Sequence, residues 1–316
     1  MNIFLNVMRI LLDIFGILCL ILIIYIIIQV LMNKKAIEIP FYNKLQCGEI
    51  YCPRPIVDLP VPSQVGTAYD KKVARYLADL SVRITSSVNE PFKSPPILTH
   101  ELDMYDSKDN PIFGVLWSNN GIAYISFRGT LEKQEWMQNF TYEQTPFKHN
   151  IKNVNQQHAL FLSNSDKDHS PQVHSGFLQV YYNFRNNLIH KIKKLNPSQI
   201  LVGGHSLGGA IATICGLDLK IMGYNVVVYN FASPRVGDDA FCDLVDKNKL
   251  TLYRIVNTCD VAPTFPVSVS PNFQDPENPF IYTHCGQAVY FTSNWKSITN
   301  NHIMGVYINW LDKELS

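Results

Sequence analysis

A serine stands between glycines in the stretch GGHSLGG, residues 203–209, where a β-forming run meets a run rich in small residues. The segment from Gly204 to Gly208 fits the pattern G-x-S-x-G, in which the serine occupies a sharp strand-to-helix turn. Glycines two positions to either side let the strand and the helix approach, and the helix N-terminus stabilises negative charge beside the serine. The strand-like QILV before it and the helix-like GGAIATICG after it supply that context. The pattern therefore predicts that Ser206 is a nucleophile.

A serine hydroxyl near neutral pH needs a histidine that accepts its proton and a carboxylate that orients the histidine. After a serine in this type of turn, the acid and then the histidine follow along the chain. Asp260 fits the acid, because it comes directly after the strand-like LYRIVN and before the proline-containing VAPTFP. The rival acids Asp238, Asp239 and Asp243 lie in GDDAFCD, a predicted helix start where acids are expected for capping alone.

Two histidines follow Asp260 and compete for the role of base. His284 lies in the alternating run YTHCGQAVYF, which predicts a strand and a structural histidine. His302 is predicted to open a C-terminal helix from a polar loop, where an imidazole can reach the serine. Residue types alone favour His302 and leave His284 open. His205 adjoins the serine, but the sharp turn is expected to direct its side chain away.

Strand-like and helix-like segments alternate through the rest of the chain, which predicts an α/β fold with a mostly parallel sheet. Asn119-Asn120-Gly121 separates two β-like runs and predicts a tight hairpin, so that residues 122–127 form a strand ending before Thr130. The segment 147–172 is polar and is predicted to be a surface excursion. One helix is predicted to bury an apolar face that comprises Val73, Tyr76, Leu77, Leu80 and Ile84.

Length and charge limit the classes of protein. The chain has 316 residues and a formal net charge of +1, which favours no nucleic-acid partner. Residues 14–32 carry no charge and as a helix would span roughly 28 Å, about one bilayer core. No small-residue cleavage site follows, so the segment is predicted to be a retained transmembrane anchor. The expected divisions are an anchor at 1–35, a proline-rich linker at 36–66 and a catalytic domain at 67–316.

The side of the membrane on which the catalytic domain lies stays open. More basic residues follow residues 14–32 than precede them, which leans towards a cytosolic domain. A glycosylation acceptor at Asn139 and the close spacing of Cys47 and Cys52 point instead to an oxidising lumen. The seven cysteines form no CxxC pair or zinc pattern, so most are predicted to be small buried residues.

From about residue 67 to the C-terminus, the chain resembles the class 3 (fungal-type) triacylglycerol lipases of the α/β-hydrolase fold. Seven blocks in order carry the resemblance: FRGT, EWMQNFTY, VHSGFLQVYY, GGHSLGGAIA, NFASPRVGDDAF, RIVNTCDVAPTFP and NNHIMGVY. The resemblance implies that Ser206 is the nucleophile, Asp260 the orienting acid and His302 the base. It also matches YTHCG to a YxHxG element of the family, which places His284 upstream of the catalytic histidine.

The resemblance further implies an oxyanion hole and a lid. The backbone N–H groups of Leu207 and Thr130 match the family's oxyanion donors, and LEKQEWMQN with Trp136 occupies the place of the family's lid helix. The family commonly has an acid where Asn139 stands, and this departure argues against strong interfacial activation. The N-terminal anchor is outside the family pattern.

The resulting expectation is a serine hydrolase that cleaves lipid esters at a membrane or lipid-droplet surface. Neutral acylglycerol is the first choice of substrate, with a phospholipase A1 or another carboxylesterase as the alternative. A catalytically inactive, membrane-tethered lipid-binding protein is a third interpretation, but it would require a missing member of the site. No metal or organic cofactor is expected, because the sequence has no HExxH and no dinucleotide-binding glycine loop.

Overall fold

The computed structural model of the chain describes residues 58–62, 65–88, 91–107, 110–130, 142–148 and 170–315. These residues all belong to one unit, Pro55–Ser316. The predicted anchor at 14–32, most of the linker, Trp136, Asn139 and the pair Cys47 and Cys52 lie outside the described residues. None of the helices within the described ranges has the length and apolar character needed to cross a bilayer.

The described helices are α1 (Lys71–Ser86), α2 (Ser175–Leu195), α3 (Leu207–Ile221), α4 (Asp239–Lys247), α5 (Ile298–His302) and α6 (Met304–Leu315). The strands are β1 (Thr99–Met104), β2 (Gly114–Asn119), β3 (Ile122–Phe127), β4 (Gln144–Pro146), β5 (Gln172–His174), β6 (Gln199–His205), β7 (Val226–Phe231), β8 (Thr251–Asn257), β9 (Val269–Ser270), β10 (Phe280–Ile281) and β11 (Gln287–Phe291).

The main sheet contains seven strands in the order β1-β2-β3-β6-β7-β8-β11. The first three strands are antiparallel neighbours, and β3, β6, β7, β8 and β11 run parallel. The predicted mostly parallel sheet is thus confirmed. Because the carboxyl ends of parallel strands meet at one edge, the loops after β3, β6, β7 and β8 gather there.

Helices cover both faces of this sheet. Successive residues of β6 point to opposite sides: Ile200 and Val202 join the apolar core with α2 and α3, whereas Gly203 lies against Leu77 of α1. The apolar face predicted for α1 is buried. Its N-terminus is capped by Asp70, whose carboxylate accepts hydrogen bonds from two backbone N–H groups of the first turn.

The hairpin between β2 and β3 forms at the predicted turn. Asn120 and Gly121 both have positive φ, 47° and 77°, which matches the two-residue turn that asparagine and glycine favour. The strand that follows, Ile122–Phe127, has the predicted bounds and is buried along its whole length. The loop that follows, residues 128–130, therefore starts at the carboxyl end of β3.

Two local predictions about the histidines were wrong. His302 does not open the C-terminal helix: it ends the short helix α5, and Ile303 is extended (ψ 143°) before α6 begins at Met304. His284 does not lie within a strand, because only Thr283 forms an isolated bridge, to Gly237, and β11 starts at Gln287.

Two of the cysteines form a pair that the sequence did not predict. Cys242 of α4 and Cys285 before β11 form a disulfide with a Cα–Cα distance of 4.9 Å. They are 43 residues apart in the chain, so their spacing gave no signal of a pair. Cys215 is free and buried, as predicted for a small apolar residue.

Candidate active site

Ser206 lies at the turn between the end of β6 and the start of α3. Its backbone has φ 56° and ψ −124°, a conformation that residues other than glycine rarely adopt and that costs about 1–3 kcal/mol. The Ser206 N–H donates to the carbonyl of Phe231 at the end of β7, at 2.9 Å, which holds the strained residue in place. The turn predicted from G-x-S-x-G is therefore present.

The two glycines of the motif are required by close backbone contacts. A Cβ atom at Gly204 would lie 2.1 Å from the carbonyl oxygen of Gly208, on the other arm of the turn. One at Gly208 would lie 2.4 Å from the carbonyl oxygen of Arg128, at the end of β3. Any larger residue at either position would force the helix away from the strands, so the glycines set the position of Ser206.

The side chains of Asp260, His302 and Ser206 form a continuous series of hydrogen bonds. His302 Nδ1 lies 2.8 Å from Asp260 Oδ2 and 3.1 Å from Oδ1, and His302 Nε2 lies 2.9 Å from Ser206 Oγ. A carboxylate only accepts, so Nδ1 carries the proton and Nε2 is left to accept the serine O–H. The structure thus brings together the three residues that the sequence selected from different parts of the chain.

Asp260 is buried at the carboxyl end of β8 and is held from two further directions. The Ala262 N–H donates to Oδ1 at 2.9 Å, and the Tyr307 hydroxyl of α6 donates to Oδ2 at 2.7 Å. Burial and the nearby Asp260 carboxylate raise the pKa of Tyr307 well above its ordinary value, so this hydroxyl keeps its proton. Together with His302, these donors give each oxygen of the carboxylate at least one hydrogen bond.

The other two histidines near the site serve its framework. His205 Nε2 donates to the backbone carbonyl of His302 at 2.7 Å, and the two imidazole rings lie 4.8 Å apart. Burial, and then repulsion from His302, lower the pKa of His205 to about 3. His284 Nε2 donates to the carbonyl of Pro263 at 2.7 Å, and burial, with Arg254 next, lowers its pKa to about 3. Both are therefore neutral donors near pH 7.

The candidate oxyanion donors lie on both sides of the serine. Leu207 is the first residue of α3, so its N–H has no partner inside the helix and lies at the positive end of the helix dipole. Across from it, a Cβ atom built at Gly129 would lie 3.3 Å from Ser206 Cβ, so Gly129 passes directly beside Ser206. Thr130, the next residue, is half-buried.

The guanidinium of Arg128 fixes the peptide that contains the Thr130 N–H. Arg128 Nη1 donates to the Gly129 carbonyl at 2.9 Å, while Nε donates to the Ile112 carbonyl at 2.8 Å. In a trans peptide the C=O and the following N–H point in opposite directions. By holding the Gly129 carbonyl, Arg128 therefore sets the direction of the Thr130 N–H.

Sequence reasoning missed the roles of Tyr307, Arg128 and the His205 side chain. Tyr307 occupies a buried position on the apolar face of α6, so its spacing does not distinguish it from a core residue. Arg128 offered a usable signal: an arginine directly after a mostly apolar strand is buried and must find acceptors.

Comparison with known proteins agrees with this geometry. A model of the family "Lipase (class 3)" matches residues 124–270, a range that includes Ser206 and Asp260 and ends before His302. The chain is 35% identical over 161 residues to "Phospholipase A(1) DAD1, chloroplastic" of Arabidopsis thaliana, which covers 47% of this chain and 34% of that protein. It is 28% identical over 180 residues to "Lipase" of Rhizomucor miehei, which covers 54% of this chain and 42% of that protein.

The solved structure of Rhizomucor miehei triacylglyceride lipase superimposes with a TM-score of 0.53 at 22% identity, covering 71% of this chain and 80% of the other. This likeness shows that the chain has the α/β-hydrolase fold of the fungal lipases. The chain spans only about a third to two fifths of the length of the two curated relatives.

Proposed function

We propose that this protein is a serine hydrolase that cleaves carboxylic esters of lipids. The observation that carries the proposal is the hydrogen-bonded series from Asp260 through His302 to Ser206, on a strained turn at the carboxyl edge of the sheet. Few other arrangements need a serine with positive φ beside an imidazole whose other nitrogen faces a buried carboxylate. The names of the relatives, lipases and phospholipases A1, agree with this chemistry.

The proposed reaction proceeds through an acyl-enzyme. Ser206 Oγ attacks the ester carbonyl while His302 Nε2 takes its proton, and the backbone N–H groups of Leu207 and Thr130 hold the resulting oxyanion. His302 then gives the proton to the alcohol that leaves. A water molecule, activated by the same nitrogen, attacks the acyl-enzyme and releases the fatty acid. Asp260 stabilises the imidazolium that forms in both steps.

The substrate that we propose first is a neutral acylglycerol. Similarity to "Lipase" of Rhizomucor miehei and to "Secreted mono- and diacylglycerol lipase 1" of Fusarium solani supports it. The similarity to Phospholipase A(1) DAD1 favours a phospholipid instead. The two substrates share the acyl ester and differ in the group beyond the glycerol, so the choice depends on residues around the entrance and not on Ser206.

Release of fatty acid from triolein emulsion and from phosphatidylcholine vesicles separates the two substrates. Preferred hydrolysis of triolein is the expected result. Exclusive hydrolysis of phosphatidylcholine would overturn the first choice and leave the serine hydrolase proposal intact. Hydrolysis of neither lipid, nor of a soluble butyrate ester, would overturn both and leave the interpretation as an inactive lipid-binding protein.

We further propose that residues 14–32 anchor the chain in a membrane as a single span and that Trp136 belongs to a lid. The anchor proposal is supported by the length and the uncharged composition of that segment. The disulfide between Cys242 and Cys285 favours a catalytic domain on the non-cytosolic side, because such bonds persist in oxidising compartments. The basic residues that flank 14–32 favour the opposite, cytosolic side.

Topology is measured by protease protection in sealed vesicles. A domain that is protected in sealed microsomes and carries the Cys242–Cys285 bond supports the lumenal side. Digestion in intact microsomes, with both thiols open to maleimide, would instead place the domain in the cytosol.

A further inference from the structure

The short hairpin that follows the Asp260 loop presents apolar side chains to solvent. It consists of β9, β10, the connecting residues 271–279 and the two residues before β9, and we call this segment, 267–281, the rim hairpin. Val269 and Ile281 are direct cross-strand partners and therefore lie on the same side. Both are exposed, and Phe273 in the connection is 85% exposed. Single exposed apolar residues are ordinary, but four in one fifteen-residue segment call for an explanation: Val267, Val269, Phe273 and Ile281.

The fold of the rim hairpin does not require these side chains. Its connection is held by polar bonds instead: Asn272 Nδ2 donates to the Asn278 carbonyl at 3.0 Å, and Asn272 Oδ1 accepts from the backbone N–H groups of Gln274 and Asp275. Asn272 is buried, whereas its neighbour Phe273 extends into solvent. The sequence thus builds a rigid polar turn that presents a phenyl ring.

The rim hairpin is fastened to the loop that carries the acid of the site. The Arg235 guanidinium donates to the carbonyls of Thr264 and Pro266, between Asp260 and β9. At the other end of the rim hairpin, Gln144 Nε2 donates to the Ile281 carbonyl at 2.6 Å. These contacts place the rim hairpin at the carboxyl edge of the sheet, the same edge as Ser206, directly after the loop that contains Asp260.

Charge identifies the kind of surface that the rim hairpin fits. Residues 267–281 contain two acids, Asp275 and Glu277, and no lysine or arginine. Attraction to an anionic surface by charge is therefore absent, and apolar contact is the only driving force that the segment offers. We propose that the rim hairpin inserts Val269 and Phe273 into an uncharged or zwitterionic lipid surface and so holds the catalytic edge against it. The proposal rests on the proposed function in taking this surface as the source of the ester.

The direct test uses the full chain reconstituted in phosphatidylcholine vesicles whose acyl chains carry bromine, which quenches nearby tryptophan. Phe273→Trp is compared with Ile97→Trp, since Ile97 is also an exposed apolar residue (63%, against 85% for Phe273) but lies before β1 at the opposite edge of the sheet. Loss of the added emission is expected for Phe273→Trp and not for Ile97→Trp. Equal quenching of the two variants would overturn the proposal, as would stronger quenching of Phe273→Trp when anionic lipid is added.

A second readout separates this proposal from the proposed function. In the double variant Val269→Ser with Phe273→Ser, the ratio of vesicle-lipid to soluble-butyrate turnover is expected to fall by at least about tenfold, because two apolar side chains no longer leave water. Ile97→Ser is expected to keep the parental ratio. If the parent cleaves neither ester, the proposed function fails while the quenching result stands. If the double variant changes only the oligomeric state, the rim hairpin is an interface between copies and the proposal fails.

Discussion

At the scale of single residues, the site depends on one imidazole that is held at three points. His302 meets Ser206 through Nε2 and Asp260 through Nδ1, and its backbone carbonyl accepts a hydrogen bond from His205. This fixes the ring orientation and the tautomer together. His284, the other candidate in the sequence, donates to the backbone carbonyl of Pro263. Substitution of each histidine is therefore expected to have a different effect.

His302→Ala is expected to reduce kcat for ester hydrolysis by at least about a thousandfold, since the serine loses its proton acceptor. His284→Ala is expected to retain most of the activity and to lower the free energy of unfolding, because the Pro263 carbonyl loses its donor. Steady-state kinetics and urea unfolding of both variants measure this. The reverse pattern would identify His284 as the base.

Tyr307→Phe removes the hydroxyl that donates to Asp260 Oδ2 and leaves the ring in place. A hydrogen bond to a charged group contributes about 1.5–3 kcal/mol, so kcat is expected to fall by about tenfold or more. Tyr253→Phe is the matched control, because its hydroxyl donates to the Thr67 carbonyl, away from the site. A Tyr307→Phe enzyme with parental kcat would show that this hydroxyl does not support the acid.

At the scale of elements, the carboxyl ends of β3, β6 and β8 each deliver one part of the site. Their apolar runs and the turns after them are visible in the sequence, so the sheet and Ser206 could be predicted from local pattern alone. The choice of Asp260 followed from its place after a strand. Local pattern does not show where a helix packs against the site. The contact of Tyr307 with Asp260 and the break in the helix at Ile303 were therefore not predicted.

The end of β3 makes a prediction about the oxyanion hole. Arg128→Lys keeps the buried charge but loses the guanidinium geometry that holds the Gly129 carbonyl and so directs the Thr130 N–H. We expect kcat to fall by about tenfold to a hundredfold with little change in KM, less than the full loss of one oxyanion donor. Kinetics on a soluble ester measure this. A raised KM at parental kcat would contradict a role in directing that N–H.

At the scale of the whole molecule, long-range pairs that no spacing rule predicts hold the loops around the sheet. The Cys242–Cys285 bond joins α4 to the segment before β11, and the neighbouring His284 joins that segment to the Asp260 loop. Such pairs depend on the completed fold, and single-sequence patterns contain no record of them. The burial of His284 in one of these contacts also makes the free energy of unfolding depend on pH.

His284 has a pKa of about 3 in the folded protein, against an ordinary value of 6.5, because it is buried and lies near Arg254. Between these values the unfolded chain binds a proton that the folded chain does not, so the free energy of unfolding falls as the pH falls from 6.5 towards 3. His284→Gln is expected to reduce this loss, measured as the urea midpoint at pH 7 and pH 4. An unchanged difference between the two pH values would show that His284 does not contribute.

The central claim, that Ser206 is a nucleophile activated by His302, is tested most directly by a fluorophosphonate probe on the folded protein. Attack by Oγ on phosphorus expels fluoride and leaves a stable adduct, which mass spectrometry of the peptide locates. We expect one adduct, on Ser206, formed far more slowly in His302→Ala. A folded parent protein that leaves Ser206 unlabelled would contradict the account.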